Sequence, residues 1–289
     1  MSNISNQHLA KLIKLLDAVT CQILRSLSQA AAVLKFDYFV TGAMARDLVL
    51  VNVFGLAPGR ATRDIDFGVA VEGWDQFEAL TRYLCDNGPF QPQPTVAHRL
   101  HYPTGTVWVP VDLIPFGRIT DVDGQIAWPP KNDVVMTVAG FREAQASGIR
   151  LVIEEDLIVP VASIAGLTIL KLLAWLDRKA VTNKDASDLY QILSQYGDAG
   201  NNDRLYGDAF TLLEEAEYDI PMAGARLLGR DSASLCEDDT IRRIQSLLHK
   251  EDLVEKLILQ MNQVVNPIGD QVDRATAYVG MFRRGFLGL

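Results

Sequence analysis

The spacing of apolar residues changes at about residue 160, and this change constrains the fold more than any other feature of the sequence. Before it, short runs of alternating polarity, typical of strands, are separated by runs with helical spacing. From Ile164 onward the spacing is helical, with few strand patterns. We therefore predict an α+β protein with an α/β domain over residues 1–160, a boundary near residues 159–161, and a helical domain over residues 161–289.

The first domain is expected to contain a mixed sheet flanked by helices. Its first segment, from about residue 6 to residue 34, has apolar residues at helical spacing and predicts an N-terminal helix or two. Another helix is predicted from residue 74 to the glycine at position 88. Alternation and turn residues predict strands over residues 37–42, 63–71, 98–102 and 106–116.

The composition is that of a globular protein and gives no broad attraction to nucleic acid. The formal charge is −9, so an RNA partner would need a local basic patch. The three cysteines lack the spacing of a zinc site, and no apolar run reaches the ~18 residues of a membrane helix. Because the sequence starts without a signal-peptide pattern, we expect a cytoplasmic protein with no membrane partner.

Asp64 and Asp66 are the first candidate site residues. Two residues apart on a strand, they point to the same side of the sheet. Neighbouring carboxylates repel each other, and a divalent cation relieves the repulsion. For an isolated Asp-x-Asp pattern, an exposed strand face or edge is the commoner explanation, so the interpretation depends on what surrounds it.

Asp112 and Gly42 supply that context. Asp112 is a lone acid in an apolar strand, where an unpaired buried charge would be costly. If its strand adjoins that of Asp64, the three carboxylates could hold two ions roughly 3.5–4 Å apart, an arrangement suited to phosphoryl displacement. Gly42 lies between a strand and a helix, where backbone N–H groups can approach a phosphate.

The helical half adds a lysine and two acids. Lys171 lies in an apolar helix, so it needs a phosphate or an acid as partner, unless it faces solvent. Asp185 and Asp188 are three residues apart in the first turn of the next helix, where helix capping explains them nearly as well as catalysis. Arg46 is a candidate for a phosphate contact. Arginines interleaved with aromatics over residues 274–286 would suit single-stranded RNA, although a solvated helix end explains them too.

These motifs resemble the signature of the DNA polymerase β-like nucleotidyltransferase superfamily. The signature consists of a glycine turn (Thr41-Gly42-Ala43), then Asp-x-Asp (Asp64 and Asp66), then a third acid on a later strand (Asp112). The sequence is most similar to AbiEii/AbiGii-type nucleotidyltransferases, which include toxins of toxin–antitoxin systems. The resemblance spans about residues 39–196 and includes Lys171 and the Asp-x-x-Asp that follows it.

The resemblance implies a role for each residue. Asp64, Asp66 and Asp112 would hold Mg²⁺, or Mn²⁺ in its place, with Asp112 also orienting or activating the attacking hydroxyl. Lys171 would contact the triphosphate, and Asp185 or Asp188 would complete the catalytic site. The family's turn is often Gly-Ser, and because Ala43 replaces the serine, a hydroxyl for phosphate must come from Thr41 or Thr62 or be absent. The predicted nucleotide-binding residues are Thr41, Gly42, Ala43, Arg46, Thr62 and Lys171.

The expected function is transfer of a nucleoside monophosphate from an NTP to an acceptor hydroxyl. Similarity to the family implies a toxin that modifies the tRNA 3′ end and is checked by an antitoxin protein. Two alternatives remain open: a small-molecule adenylyltransferase of the antibiotic-modifying type, whose cationic acceptor would suit the acidic chain, and a catalytically inactive nucleotide-binding module.

Overall fold

The computed structural model describes residues 9–105, 107–264 and 271–289. These residues form two compact units. The first comprises residues 9–48 and 61–163, and the second comprises residues 49–60 together with the described residues from 164 onward. Residues 49–60, which we had placed in the α/β domain, therefore group with the helical unit.

The first unit contains a mixed sheet, which confirms the predicted α+β class. Its strands, with those of a separate two-stranded sheet, are β1 (Leu9–Lys11), β2 (Asp37–Thr41), β3 (Ile65–Val71), β4 (Gln91–Pro92), β5 (Arg99–Pro103), β6 (Trp108–Gly117), β7 (Gln125–Ala127), β8 (Val135–Thr137), β9 (Ile149–Glu154) and β10 (Leu157–Val161). In the described part of the chain, the large sheet has the order β1-β9-β10-β2-β3-β6-β5-β4, and β7 pairs with β8. The pair β3–β6 is parallel, whereas β2–β3 and β5–β6 are antiparallel.

The helices of this unit are α1 (Ala18–Leu34), α2 (Gly42–Asp47), α3 (Trp74–Asn87) and α4 (Phe141–Ala146). A π-helical segment, Leu48–Val53, follows α2. The central strands β2 and β3 are almost entirely buried, and their apolar side chains belong to the core of the unit. The predicted strands and the helix ending at Gly88 are thus confirmed, apart from Thr106, which lies outside the described residues.

The predicted helix over residues 6–34 is wrong in its first half. Residues Leu9–Lys11 form β1, which pairs in parallel with β9, and residues 6–8 lie outside the described part of the chain. The helix begins only at Ala18, because the Asp17 side chain accepts a hydrogen bond from the Thr20 backbone N–H (3.0 Å) and caps it. Ile13, one of the apolar residues on which the predicted helix rests, is exposed.

The second unit is helical in its described part, as the spacing of apolar residues predicts. Its helices are α5 (Ile164–Arg178), α6 (Lys184–Gln195), α7 (Asn202–Leu205), α8 (Phe210–Glu215), α9 (Ile220–Leu235), α10 (Asp238–His249), α11 (Glu251–Val264) and α12 (Gln271–Leu287). None of the described helices is long and apolar enough to cross a membrane.

The suggestion that residues 274–286 contact RNA through their aromatic side chains is wrong. Tyr278, Phe282 and Phe286 are buried, and their helix α12 packs against α9. Of the arginines between them, Arg283 forms an ion pair with Glu251 (2.7 Å). The aromatic rings are part of the core and have no surface on which a base could stack.

Candidate active site

Four polar residues lie side by side across four adjacent strands of the first unit. Thr41 of β2 is the register partner of Asp66 of β3, Asp66 is the partner of Asp112 of β6, and Asp112 is the partner of Arg99 of β5. Side chains of directly opposite residues lie on the same face of a sheet. We call Thr41, Asp66, Asp112 and Arg99 the polar row.

Asp64 joins the acids of this row from the residue before β3. One carboxylate oxygen from each of Asp64, Asp66 and Asp112 can be chosen so that the three lie within 4.8 Å of one another. Asp112 is buried, while Asp64 and Asp66 are half-buried. Thr62 donates a hydrogen bond to Asp64 Oδ1, so its hydroxyl already orients this acid. Three oxygens in such a group could hold a divalent cation, and carboxylate oxygen is the kind of ligand that Mg²⁺ prefers.

Gly42 forms a corner against this cluster. It has a left-handed backbone conformation (φ +67°), and a Cβ at this position would lie 1.8 Å from Asp66 Oδ2. Only glycine fits here without moving the carboxylate. The glycine that the sequence suggested as a phosphate corner therefore also provides the space in which Asp66 lies.

We expect Gly42→Ala to lower activity by roughly 100-fold, since displacement of a reacting group by about 1 Å has effects of this size. Gly105→Ala is the matched control, because Gly105 also has positive φ (+86°) but a Cβ there would meet nothing within 4 Å. Steady-state kinetics of both variants separates the contact with Asp66 from backbone strain. Equal activity of the two variants would show that the closeness of Gly42 to Asp66 does not matter.

Arg99, which no sequence motif singled out, binds the third acid. Its Nε donates to Asp112 Oδ1 and its Nη2 to Asp112 Oδ2, both at 2.6 Å. These hydrogen bonds raise the pKa of Arg99, and the negative charges of Asp64 and Asp66 act in the same direction. The signal was present in the sequence: a hairpin closed between Pro103 and Trp108 places Arg99 opposite Asp112.

His98 lies beside the same carboxylate, with its Nε2 3.9 Å from Asp112 Oδ2. Burial lowers the pKa of His98, so the ring is neutral near pH 7 and does not offset the charge of Asp112. Its other face contacts the Trp128 ring, with the ring centroids 5.6 Å apart. Arg99 is therefore the cationic partner that the structure records for Asp112.

The other predicted nucleotide-binding residues of the first unit are less accessible to a ligand. Arg46 is fully buried and forms an ion pair with Asp47 (2.8 Å), so its guanidinium presents no surface to a nucleotide. The Thr41 and Ala43 side chains are buried as well. Gly42, which lies between them, is half-buried.

The candidates of the second unit form their own cluster. Lys171 Nζ lies 2.6 Å from Asp188 Oδ2 and 3.2 Å from Asp185 Oδ1. Asp185 also binds Arg178 Nη2 (2.8 Å), and Asp188 binds Arg60 Nε (2.9 Å). We call Arg60, Lys171, Arg178, Asp185 and Asp188 the charged cluster, which has three cations for two acids.

Both acids of this cluster are almost completely buried, Asp185 at 2% and Asp188 at 0% exposure. Ion pairing in a buried cluster, rather than helix capping alone, describes their surroundings. Their oxygens are engaged by basic side chains. Lys171 has the acid partner that its apolar helix required.

A mixed sheet that brings Asp64, Asp66 and Asp112 together beside a glycine corner is the arrangement expected of a nucleotidyltransferase. The family model for the nucleotidyl transferase AbiEii toxin of type IV toxin–antitoxin systems matches residues 23–274. The chain belongs to this family, as its motifs suggested.

The similarity to solved structures is weaker. A nucleotidyltransferase-like antigenic protein from Paracoccidioides brasiliensis is 19% identical, with a TM-score of 0.41 over 70% of this chain and 93% of that one. The antibiotic-resistance factor ANT(2'')-Ia is 15% identical, with a TM-score of 0.38 over 70% and 99%. A CCA-adding enzyme in complex with ATP is 11% identical, with a TM-score of 0.31 over 94% and 80%. No curated protein matches the sequence.

Proposed function

We propose that this nucleotidyltransferase is a toxin that transfers a nucleoside monophosphate from an NTP to the 3′ hydroxyl of tRNA and is held in check by an antitoxin protein. The observation that supports the chemistry is the convergence of Asp64, Asp66 and Asp112 within 4.8 Å. The family supports the toxin role and the antitoxin partner.

Asp64 and Asp66 are the proposed ligands of Mg²⁺, with Asp112 as the third. When bound, Mg²⁺ offsets the negative charge that develops on the transferring phosphate. Each of the three acids offers a carboxylate oxygen to the ion. Because Gly42 has no side chain, the Asp66 carboxylate has the space that it occupies. We propose that the backbone of the turn at Thr41, Gly42 and Ala43 approaches the phosphates, with the half-buried Gly42 as the most accessible of the three residues.

Asp112 is proposed to orient the acceptor hydroxyl and accept its proton. The hydroxyl oxygen then forms a bond to the α-phosphorus, and the bond between this phosphorus and pyrophosphate breaks. Lys171 is proposed to contact the triphosphate, with Asp185 and Asp188 as positioning residues that fix its ammonium group. For Arg46, the buried pair with Asp47 favours a positioning role in α2.

Incubation of the protein with each labelled NTP, Mg²⁺ and total RNA, followed by gel electrophoresis, tests this proposal. We expect label in the tRNA band, lost when a chelator removes Mg²⁺ or when the tRNA 3′ hydroxyl is oxidised beforehand. Label in a cationic small molecule and none in RNA would replace tRNA by an antibiotic-type acceptor. Absence of label from RNA, protein and small molecules would leave an inactive nucleotide-binding module.

A further inference from the structure

The face of the sheet that carries Asp112 continues beyond this acid over the hairpin of β5 and β6. Arg99 of β5 is the register partner of Asp112. His101, two residues further along β5, is the partner of Pro110, and Trp108 lies two residues before Pro110 in β6. Because opposite residues and residues two apart on a strand point to the same side, His101 and Trp108 lie on the same face as Asp112.

The two faces of this hairpin have different surroundings. Leu100 and Tyr102, which alternate with His101 along β5, are buried. On the face of Asp112, His101 is half-buried and Trp108 is 49% exposed. The rings of His101 and Trp108 are neighbours, with their centroids 6.0 Å apart and their planes inclined by 50°. We call these two residues the ring pair, which presents aromatic surface on the face of the third acid.

The ring pair lies in the longest part of the sequence without an acid. Residues 87–111 contain no Asp or Glu, although the chain has 36 of them and a formal charge of −9. Asp112, which ends this stretch, is paired with the guanidinium of Arg99 through two hydrogen bonds of 2.6 Å. A polyanion that approaches the ring pair therefore meets no unpaired carboxylate of this stretch, whereas the net charge of the chain would repel it.

We propose that an unpaired nucleotide of the acceptor RNA stacks on the ring pair while the terminal nucleotide next to it presents its 3′ hydroxyl to Asp112. This inference rests on the proposed function and names what the site recognises, a single-stranded 3′ end. Histidine and tryptophan rings are common stacking partners of unpaired RNA bases. Trp108 is four residues from Asp112 along β6, or about 13 Å at the usual rise of a strand. The stacked base is therefore a neighbour of the reacting nucleotide and not the reacting nucleotide itself.

Binding of tRNA with a fluorescent label at its 5′ end, measured by anisotropy at fixed salt and without NTP, tests the proposal apart from activity. We expect Trp108→Ala to bind tRNA on the order of tenfold more weakly than wild type, which is the contribution of one stacked base. Trp108→Phe keeps a ring and should retain most of the binding. Tyr206→Ala is the matched control, because it removes another exposed aromatic ring (60%) from the second unit, and it should bind as wild type does. For tRNA trimmed of its unpaired 3′ nucleotides, wild type and Trp108→Ala should bind equally.

Equal binding of intact tRNA by Trp108→Ala and wild type would overturn the proposal and leave the ring pair as a surface for a protein partner. The same loss with trimmed tRNA would also overturn it, since the rings would then contact another part of the RNA. Label transfer separates this inference from the proposed function. If wild type labels tRNA and Trp108→Ala does so with an unchanged KM for tRNA, the inference fails and the function stands. If wild type binds the 3′ end through Trp108 but labels no RNA, the proposed function fails and the ring pair remains an RNA-binding surface.

Discussion

Asp66→Asn is expected to reduce nucleotide transfer by on the order of 10³-fold, since fixed charges at the transferring phosphate supply much of the acceleration in such sites. Asparagine keeps the shape of the side chain beside Gly42 but removes the charge shared with Asp64 and Asp112. The initial rate of label incorporation from NTP, at saturating Mg²⁺, measures the effect. Circular dichroism of the variant should match that of wild type.

Asp37→Asn is the control for this variant. Asp37 is an exposed aspartate in β2, the strand that pairs with β3, but it lies at the far end of the register from Asp66. We expect it to retain wild-type activity. If Asp66→Asn keeps even a tenth of the wild-type rate, the carboxylate of Asp66 is not part of the catalytic machinery.

Asp188→Asn is expected to destabilise the protein by about 4 kcal/mol, because breaking a buried ion pair leaves uncompensated charge. Asp188 is fully buried and binds both Lys171 and Arg60. Without its charge, the charged cluster keeps three cations and a single acid, Asp185. Urea unfolding followed by circular dichroism gives the change in free energy of unfolding.

The double variant Asp188→Asn with Lys171→Met tests whether charge balance is the cause. Removing the ammonium restores the surplus of one cation, so the double variant should be more stable than Asp188→Asn alone. A loss below about 1 kcal/mol for Asp188→Asn, or a double variant whose losses simply add, would contradict this account of the cluster.

Much of the first unit could be predicted because its strands and helices leave patterns in short stretches of the sequence. Alternating polarity located β2, β3, β5 and β6, and the period of two placed Asp64 and Asp66 on one side. The change of spacing at Ile164 separated strands from helices. From the sequence, convergence of the three acids required that β3 and β6 be neighbours, which local patterns could not show. In the structure the two strands pair, with Asp66 opposite Asp112.

What could not be predicted depends on contacts between residues distant in sequence. β1 has three residues and exists through its pairing with β9, which no local pattern reveals. The loop after the π-helix belongs to the second unit because Gln191 and Gln195 donate to Ala57 O (both 3.0 Å) and Arg60 pairs with Asp188. Periodicity does not report such contacts.

Arg46 and Arg99 show the same limit at the candidate site. Arg46 follows the Gly42 turn closely along the chain and was the expected phosphate contact, whereas Arg99 was not singled out. The structure buries Arg46 completely, whereas the register of a hairpin brings Arg99 onto Asp112. Which arginine contacts the acids therefore depends on strand pairing in the sheet, and not on how close the arginine is to a motif along the chain.

A crystal structure of the protein with Mg²⁺ and a non-hydrolysable NTP tests the central claim most directly. We predict ion density in contact with oxygens of Asp64, Asp66 and Asp112, with the triphosphate bound to the same ions. A bound triphosphate whose ions touch none of these carboxylates would contradict the account.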